Sequence, residues 1–244
     1  MGISVLLLAY KEAENLKILL PQIKNELDRL NEEYEILVID AEQTMDNTPL
    51  VCSEHGAIYM NQKIPHYAGA FITGIKRASK DKILVLDADG SHNPKDIPKI
   101  HEKFIQGNYD LVIGSRYIKG GISNDSKVSF LMSKLLNTTM RLIIGVKAHD
   151  ISTSYRMYDA KQLKRVKLQR QNYDVLQEVI LKMKLNKQRR NKAFSIGEVP
   201  ITFNKRMFGE SKRELFKFIQ GYICTVFILF SMNLRASFHK HRIK

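Results

Sequence analysis

A chain of 244 residues with 44% hydrophobic and 26% charged side chains is long enough to bury one sizeable core and too short for two full domains. Its two cysteines, Cys52 and Cys224, have no Cys or His at ligand spacing beside them, which excludes a disulfide framework and a zinc module; with a start, "MGISVLLLAY", that lacks the basic lead of a signal peptide, this points to a reducing, cytoplasmic setting. The net charge of +14 is uneven, since residues 1–100 hold 11 Lys+Arg against 15 Asp+Glu and the remaining 144 hold 28 against 10, so the second half favours an anionic partner: nucleic acid, a phosphorylated substrate or an anionic membrane face.

In chain order, short apolar runs alternate with amphipathic segments over the first 115 residues, the rhythm of a largely parallel sheet. Strands are predicted at "ISVLLLA", "YEILVID", "GAIYM", "KILVLD" and "YDLVIGS". Helices are predicted near 13–30, 47–55, 67–80 and 95–106, the last opened by Asn93 and Pro94 at cap and first-turn positions. A mobile loop, "KGGISNDSK", follows. The second half is less regular: a helix near 128–144, a turn and short strand through "DISTSYRMY", a helix near 174–187, a strand "FSIGEVPITF", and a helical tract from about 212.

Several of these strands end in polar residues: Tyr10 to Glu12, Asp40, the pair Asp87 and Asp89, then Ser115 and Arg116. Ligands of open α/β sheets bind beyond the carboxyl ends of strands, so these endings converge on one crevice. Two carboxylates brought together repel unless a cation sits near them. Aspartates are hard oxygen donors suited to Mg²⁺ or Mn²⁺, whose shell phosphate oxygens and water then complete. The same residues, followed by Gly, Ser and Asn-Pro, would also suit an ordinary turn or helix cap.

The segment "ILVLDADGSHNPKDIP" resembles the metal-binding Asp-x-Asp stretch of family 2 glycosyltransferases, in particular the dolichyl-phosphate-mannose-synthase-like branch. Four further segments match in order: "SVLLLAYKEAENL", "DLVIGSRYIKGG", "HDISTSYRMY" and "EVPITFNKRMFGESK", covering residues 3–214. The resemblance implies a GT-A type, Rossmann-like α/β fold with a mainly parallel sheet flanked by helices. Its glycosyltransferase domain would span 1–211, with a nucleotide-sugar half at 1–115 and an acceptor half at 116–211. It implies Mg²⁺ or Mn²⁺ on Asp87 and Asp89, with Ser91 where some relatives place a third ligand. It places the nucleotide at Tyr10, Glu12 and Asp40, and phosphate handling or site closure at Arg116, Arg156, Arg206, Ser211 and Lys212, with Lys127 as an addition. The catalytic set so implied is Asp89, Arg116 and Arg206.

The chain also departs from the family pattern. It reads "LAYKE" for Pro-Ala-Tyr-Asn-Glu and "DAEQTMDNT" for Asp-Asp-Gly-Ser, and "YAGAFITG" shortens a Gly-x-Gly-x-x-Ala stretch, which leaves the nucleotide base open. A sugar hydroxyl acceptor needs a base whereas a lipid phosphate is already anionic. On the acceptor side the family-matched carboxylates are Asp150 and Glu178. The basic second half and the branch resembled point to a polyprenyl phosphate acceptor; a hydroxyl of a growing polysaccharide or glycolipid, and an inactive membrane scaffold, stay open as alternatives. No nucleic-acid module is visible. Residues 212–244 are read as a C-terminal membrane-associating helix with a basic tail: Phe218 to Leu234 gives about 25 Å of helix, short of the about 20 apolar residues a span needs. Flanked by basic residues, it suits the surface of a membrane, here the inner face of the cell membrane, rather than a crossing; a buried core helix is the other reading. His92 is read as a helix cap, without a role in the chemistry.

Overall fold

In the computed structural model, residues 1–125, 127–209 and 224–234 are described. The chain order is β1 Gly2–Leu8, α1 Ala13–Asp28, β2 Glu33–Asp40, α2 Thr48–Glu54, β3 Ile58–Asn61, α3 His66–Arg77 and β4 Lys82–Asp87. A 3-10 turn at Pro94–Asp96 leads into α4 Ile97–Gly107, then β5 Leu111–Ser115, β6 Ile122–Ser123 and α5 Lys127–Ile144. The remainder is β7 Arg156–Asp159, α6 Ala160–Leu163, α7 Val175–Gln188, β8 Ile196–Pro200 and β9 Thr202–Phe203, with a further helix at 224–234.

Among the described residues seven strands form one sheet in the order β3-β2-β1-β4-β7-β5-β8, and β6 pairs with β9 in a small second sheet. The β1, β2, β3 and β4 pairings are parallel, as the β-α rhythm requires. Strand β7 enters between β4 and β5 and runs antiparallel to both. The mainly parallel, helix-flanked architecture expected from the sequence is therefore present, with one reversed strand at its centre.

Both faces of the sheet are covered, which explains strands that read as continuous apolar runs. On β1, Leu6 faces a core shared with Phe71 of α3, Met140 of α5 and Val179 of α7, while Val5 and Leu7 face one shared with Leu16 and Leu20 of α1 and Ile100 of α4. The period-2 alternation of a strand sends neighbours to opposite cores.

The run "FSIGEVPITF", read as one strand, is two. The Ile201 N–H makes the last tie to the main sheet, donating to Ser115 O of β5 at 3.2 Å; beyond it the Thr202 N–H donates to Asp96 Oδ2 at 3.0 Å and β9 pairs with β6. Asn93 does cap, its Oδ1 accepting from the Lys95 N–H at 3.1 Å, but it opens the 3-10 turn rather than α4 itself.

The tract read as membrane-associating falls partly outside the described residues. Within it, 224–234 packs one side on the core, with Leu229 fully buried, the Thr225 hydroxyl donating to Asp174 Oδ2 at 2.8 Å and the Asn233 amide to Ile143 O at 2.8 Å. Phe227, Phe230 and Leu234 stay exposed on the other side. One side of the described helix thus matches the buried-core reading of this tract, while the other side is exposed.

Candidate active site

Strands β1, β2 and β4 run parallel, so their carboxyl ends present Tyr10 to Glu12, Asp40 and Asp87 along one edge of the sheet. Asp87 is the last residue of β4, and its surroundings fix its orientation. Its Oδ1 accepts from the Ser154 hydroxyl at 2.7 Å, and its backbone N–H donates to His92 Nδ1 at 3.0 Å. Because Nδ1 accepts, the ring proton sits on Nε2, 3.3 Å from Thr153 Oγ1. Burial depresses the His92 pKa against the pull of Asp87 and Asp89, so the ring stays neutral, stacked on Tyr155 with centroids 4.8 Å apart. His92 is thus a buried support of the acidic turn, not a cap.

Asp89 folds back on the turn, its Oδ1 accepting from the Ser91 N–H at 2.9 Å. Gly90 takes φ +78°, and a Cβ there would stand 2.4 Å from Met207 Cε, so both the turn and the close approach call for glycine. Among the described residues neither Asp87 Oδ2 nor Asp89 Oδ2 accepts a hydrogen bond, and Ser91 Oγ is buried without a partner. Asp87 Oδ2 lies 3.8 Å from His92 Nδ1 and Asp89 Oδ2 3.4 Å from Arg206 Nη2.

Arg206 bridges this turn to the start of α1. Its Nη1 donates to Glu12 Oε1 at 2.9 Å and Oε2 at 3.1 Å. Burial pushes the Glu12 carboxyl above its ordinary range, against the opposing pull of Arg206 and of the Asn15 amide. Beside it opens a cleft of about 340 Å³ bounded by Lys11, Asn15, Asp46, Asn47, Phe208 and Gly209. Asp46 holds one wall, its Oδ2 accepting from the Ala13 N–H at 3.0 Å and its Oδ1 from the Thr48 N–H at 3.0 Å.

The remaining expected residues differ in their surroundings. Tyr10 is 45% exposed at the turn after β1, whereas Asp40 is fully buried, accepting from the Ala41 N–H at 2.8 Å and the Tyr59 hydroxyl at 3.1 Å. Arg116 is tied to Asp150: Nε to Oδ2 at 2.7 Å, Nη2 to Oδ1 at 3.0 Å and Nη2 to Ser152 Oγ at 2.9 Å, with its guanidinium 5.0 Å from the Phe203 ring centroid. Burial alone would lower the Arg116 pKa and raise that of Asp150, but the pairing outweighs it and keeps both charged. Arg156 is wholly buried, donating to Leu176 O at 2.8 Å and Ile151 O at 2.7 Å, away from any open surface. Ser211 and Lys212 lie outside the described residues, as does the Lys127 side chain.

Sequence reasoning missed Ser154, Asp46 and Asn15. The Asn15 partner, Phe208, is 193 positions away, and no local pattern marks such a pair.

The family model described as glycosyl transferase family 2 matches residues 4–167. A dolichol-phosphate mannosyltransferase of Pyrococcus furiosus is 34% identical over 220 residues; the match covers 87% of this chain and 59% of that protein, so the chain spans little more than half of that relative's length. A polyprenol monophosphomannose synthase of Mycolicibacterium smegmatis is 29% identical over 220 residues, covering 85% of this chain and 79% of the relative. Among solved structures, glucosyl-3-phosphoglycerate synthase from Mycobacterium tuberculosis, in complex with Mn²⁺, uridine diphosphate and glucosyl-3-phosphoglycerate, superposes with a TM-score of 0.72 at 16% identity, covering 94% of this chain and 80% of that one. The same enzyme with Mg²⁺ and uridine diphosphate gives 0.71 at 16% identity, covering 94% and 79%. At that identity the likeness concerns the fold.

Proposed function

The chain belongs to the family 2 glycosyltransferases, and on that premise we propose that it is a metal-dependent enzyme moving a sugar from a nucleoside-diphosphate donor to a polyprenyl phosphate at the inner face of the cell membrane. The observation that carries this reading is the Asp87–Asp89 pair: each carboxylate has Oδ1 fixed by a protein donor and Oδ2 without a hydrogen bond among the described residues. That arrangement fits a divalent cation. Among the described residues no group of three or more His, Cys, Asp or Glu side chains converges, which suits an Mg²⁺ or Mn²⁺ ion that takes two carboxylates and fills its shell with diphosphate oxygens and water. Ser91 Oγ, buried and without a hydrogen-bond partner among the described residues, would complete the set. Such an ion would offset the negative charge that develops on the diphosphate as its bond to the anomeric carbon breaks.

The chain's own residues do the rest. Ser154 and His92 hold Asp87, and the Ser91 N–H holds Asp89, so the carboxylates need little reorganisation when the donor arrives. Arg206 adds a second cation beside the diphosphate position, and its planar fork suits phosphate oxygens. Tyr10 offers an exposed ring at the nucleotide end, while Asp40, fully buried, would act from beneath by holding the Ala41 N–H and the Tyr59 hydroxyl. Lys212 is assigned by resemblance alone.

The acceptor reading rests on protonation chemistry. Asp150 is consumed by Arg116, and Glu178 accepts from the Gln169 and Arg170 N–H groups and pairs with Lys182 at 2.7 Å. Neither is placed as a general base, and an anionic phosphate nucleophile needs none. An exposed apolar surface supports a lipid-bearing acceptor. On α5, Leu131, Leu135 and Leu142 lie along one exposed stripe, and Leu142 meets Phe230 and Leu234 of the 224–234 helix around a groove of about 360 Å³. Lys134, on α5, and Lys147, just after it, are exposed. Among the described residues no helix is long and apolar enough to cross a membrane, so an apolar, cation-edged face resting on anionic lipid is the mode that fits.

The test is incubation of the purified protein and Mn²⁺ with undecaprenyl phosphate and a panel of nucleotide sugars. Sugar on the lipid phosphate supports the reading. Transfer to sugar hydroxyls alone moves it to a polysaccharide or glycolipid acceptor, and an absence of both transfer and donor hydrolysis leaves a scaffold.

A further inference from the structure

Residues 204–209 cross the mouth of the site as a strap, and four backbone groups tie it down. The Asn204 N–H donates to Ser91 O at 2.8 Å and the Met207 N–H to Asp89 O at 3.0 Å, so the strap lies along the acidic turn. At its far end both polar groups of a single residue are taken by one side chain: the Phe208 N–H donates to Asn15 Oδ1 at 3.0 Å, and Asn15 Nδ2 donates to Phe208 O at 3.3 Å. The same Nδ2 also donates to Glu12 Oε2 at 2.6 Å.

Asn15 sits in the first turn of α1 and is 2% exposed. A carboxamide carries a donor and an acceptor side by side, so Asn15 answers the N–H and C=O of one residue at once while its Nδ2 also serves Glu12. An ionised aspartate could answer the N–H but not the C=O, and leucine neither. The side chain therefore works in two directions: it pins the strap to α1, and it orients Glu12, the carboxylate that receives Arg206 Nη1. Arg206 stands between two fixed points, the Asn204–Ser91 and Met207–Asp89 contacts, with the Phe208–Asn15 clamp just beyond the second.

We propose that Asn15 is a positioning residue for sugar transfer: its carboxamide clamps the 204–209 strap and orients Glu12, and so sets the Arg206 guanidinium beside Asp89 where the donor diphosphate would lie. The positioning role rests on the functional reading above; the clamp itself does not. A guanidinium held in advance needs less ordering when the diphosphate binds, so loss of the clamp falls on the transfer step and on donor affinity rather than on the acceptor.

The experiment compares the full-length wild type with Asn15→Leu and Asn15→Asp by two readouts. In the first, trypsin cleavage after Lys205 and Arg206 is timed by mass spectrometry. The second measures kcat and the donor and acceptor KM with Mn²⁺. Loss of both clamp bonds is expected to speed cleavage at the strap by about tenfold in Asn15→Leu, and to lower kcat/KM for the donor by about tenfold with the acceptor KM unchanged. Asn15→Asp keeps the Phe208 N–H bond, so its strap cleavage should fall between the two, but it sets a second carboxylate against Glu12 Oε2 and should lose donor kcat/KM at least as far as Asn15→Leu; it carries the test if Asn15→Leu does not fold. Unchanged cleavage in the folded variants overturns the clamp. Faster cleavage with unaltered donor kinetics overturns the positioning role. A wild type that turns over no nucleotide sugar refutes the functional reading and the positioning role with it, while the cleavage comparison still decides whether Asn15 holds the strap.

Discussion

Replacing Asp150 with alanine should destabilise the protein severely, because Arg116 would be left buried with its principal acceptor gone. The Asp150 side chain is fully buried and that of Arg116 is 9% exposed. The carboxylate accepts from Arg116 Nε at 2.7 Å, Nη2 at 3.0 Å and the backbone N–H at 3.1 Å, and from Ser152 Oγ at 3.2 Å. Breaking one side of such a buried pair costs roughly 3–5 kcal/mol, a large fraction of the ~5–15 kcal/mol by which a domain is stable. At this chain length a kcal/mol moves the melting temperature by about 2–4 °C, which gives a fall of roughly 6–20 °C. The pH dependence has a defined sign: burial would raise the Asp150 pKa, the Arg116 guanidinium outweighs it, and the folded-state value lies below the ordinary one. The pair's contribution is therefore complete above about pH 4 and is lost as pH falls further, through the folded-state pKa. Urea denaturation of the wild type, Asp150→Ala and the double variant Arg116→Met/Asp150→Leu measures this, and the double variant should recover much of the loss. A single-variant cost below about 1 kcal/mol, as for an exposed pair, would refute the reasoning.

Gly90→Ala should cost about 1–2 kcal/mol from the left-handed backbone alone, and the displaced Met207 should weaken Mn²⁺-dependent nucleotide binding by calorimetry; an unchanged affinity would remove Gly90 from the account. Leu229→Ala should cost about 2–5 kcal/mol because its side chain is fully buried. By contrast Phe227→Ser/Phe230→Ser, on the exposed side of the same helix, should leave the melting temperature within about 2 °C and abolish co-sedimentation with anionic vesicles. Undiminished co-sedimentation would move the lipid surface elsewhere.

The elements that could be read from the sequence were those with local signals. The β-α rhythm follows from strands buried on both faces, and the Asp87–Asp89 turn announces itself by acidic residues at a strand end followed by glycine. What escaped depends on distant pairings. Strand β7 reads as a short strand, but its seat between β4 and β5 is set by the Tyr158 and Met157 register with Ile83 and Leu84 on one side and Leu111 and Val112 on the other. The resemblance offered Arg116 to phosphate, whereas the fold hands it to Asp150, 34 positions later. The same resemblance put Arg156 among the site arginines, and the structure spends it on buried carbonyls. His92 had a plausible local use as a cap, yet Asn93 takes that role and leaves the imidazole to hold the Asp87 backbone. Asn15 lay inside a quoted motif and still carried no signal, because its meaning comes only with Phe208.

The central claim is that Asp87 and Asp89 together hold a divalent ion on a nucleoside diphosphate. Calorimetric titration of UDP, GDP and CDP into the wild type, Asp87→Asn and Asp89→Asn, each with and without Mn²⁺, tests it most directly. The account predicts that one nucleotide binds the wild type with Mn²⁺, and that its affinity falls at least about tenfold when the metal is withdrawn or either aspartate is neutralised. Equal affinity with and without Mn²⁺, or asparagine variants that bind as the wild type does, would contradict it.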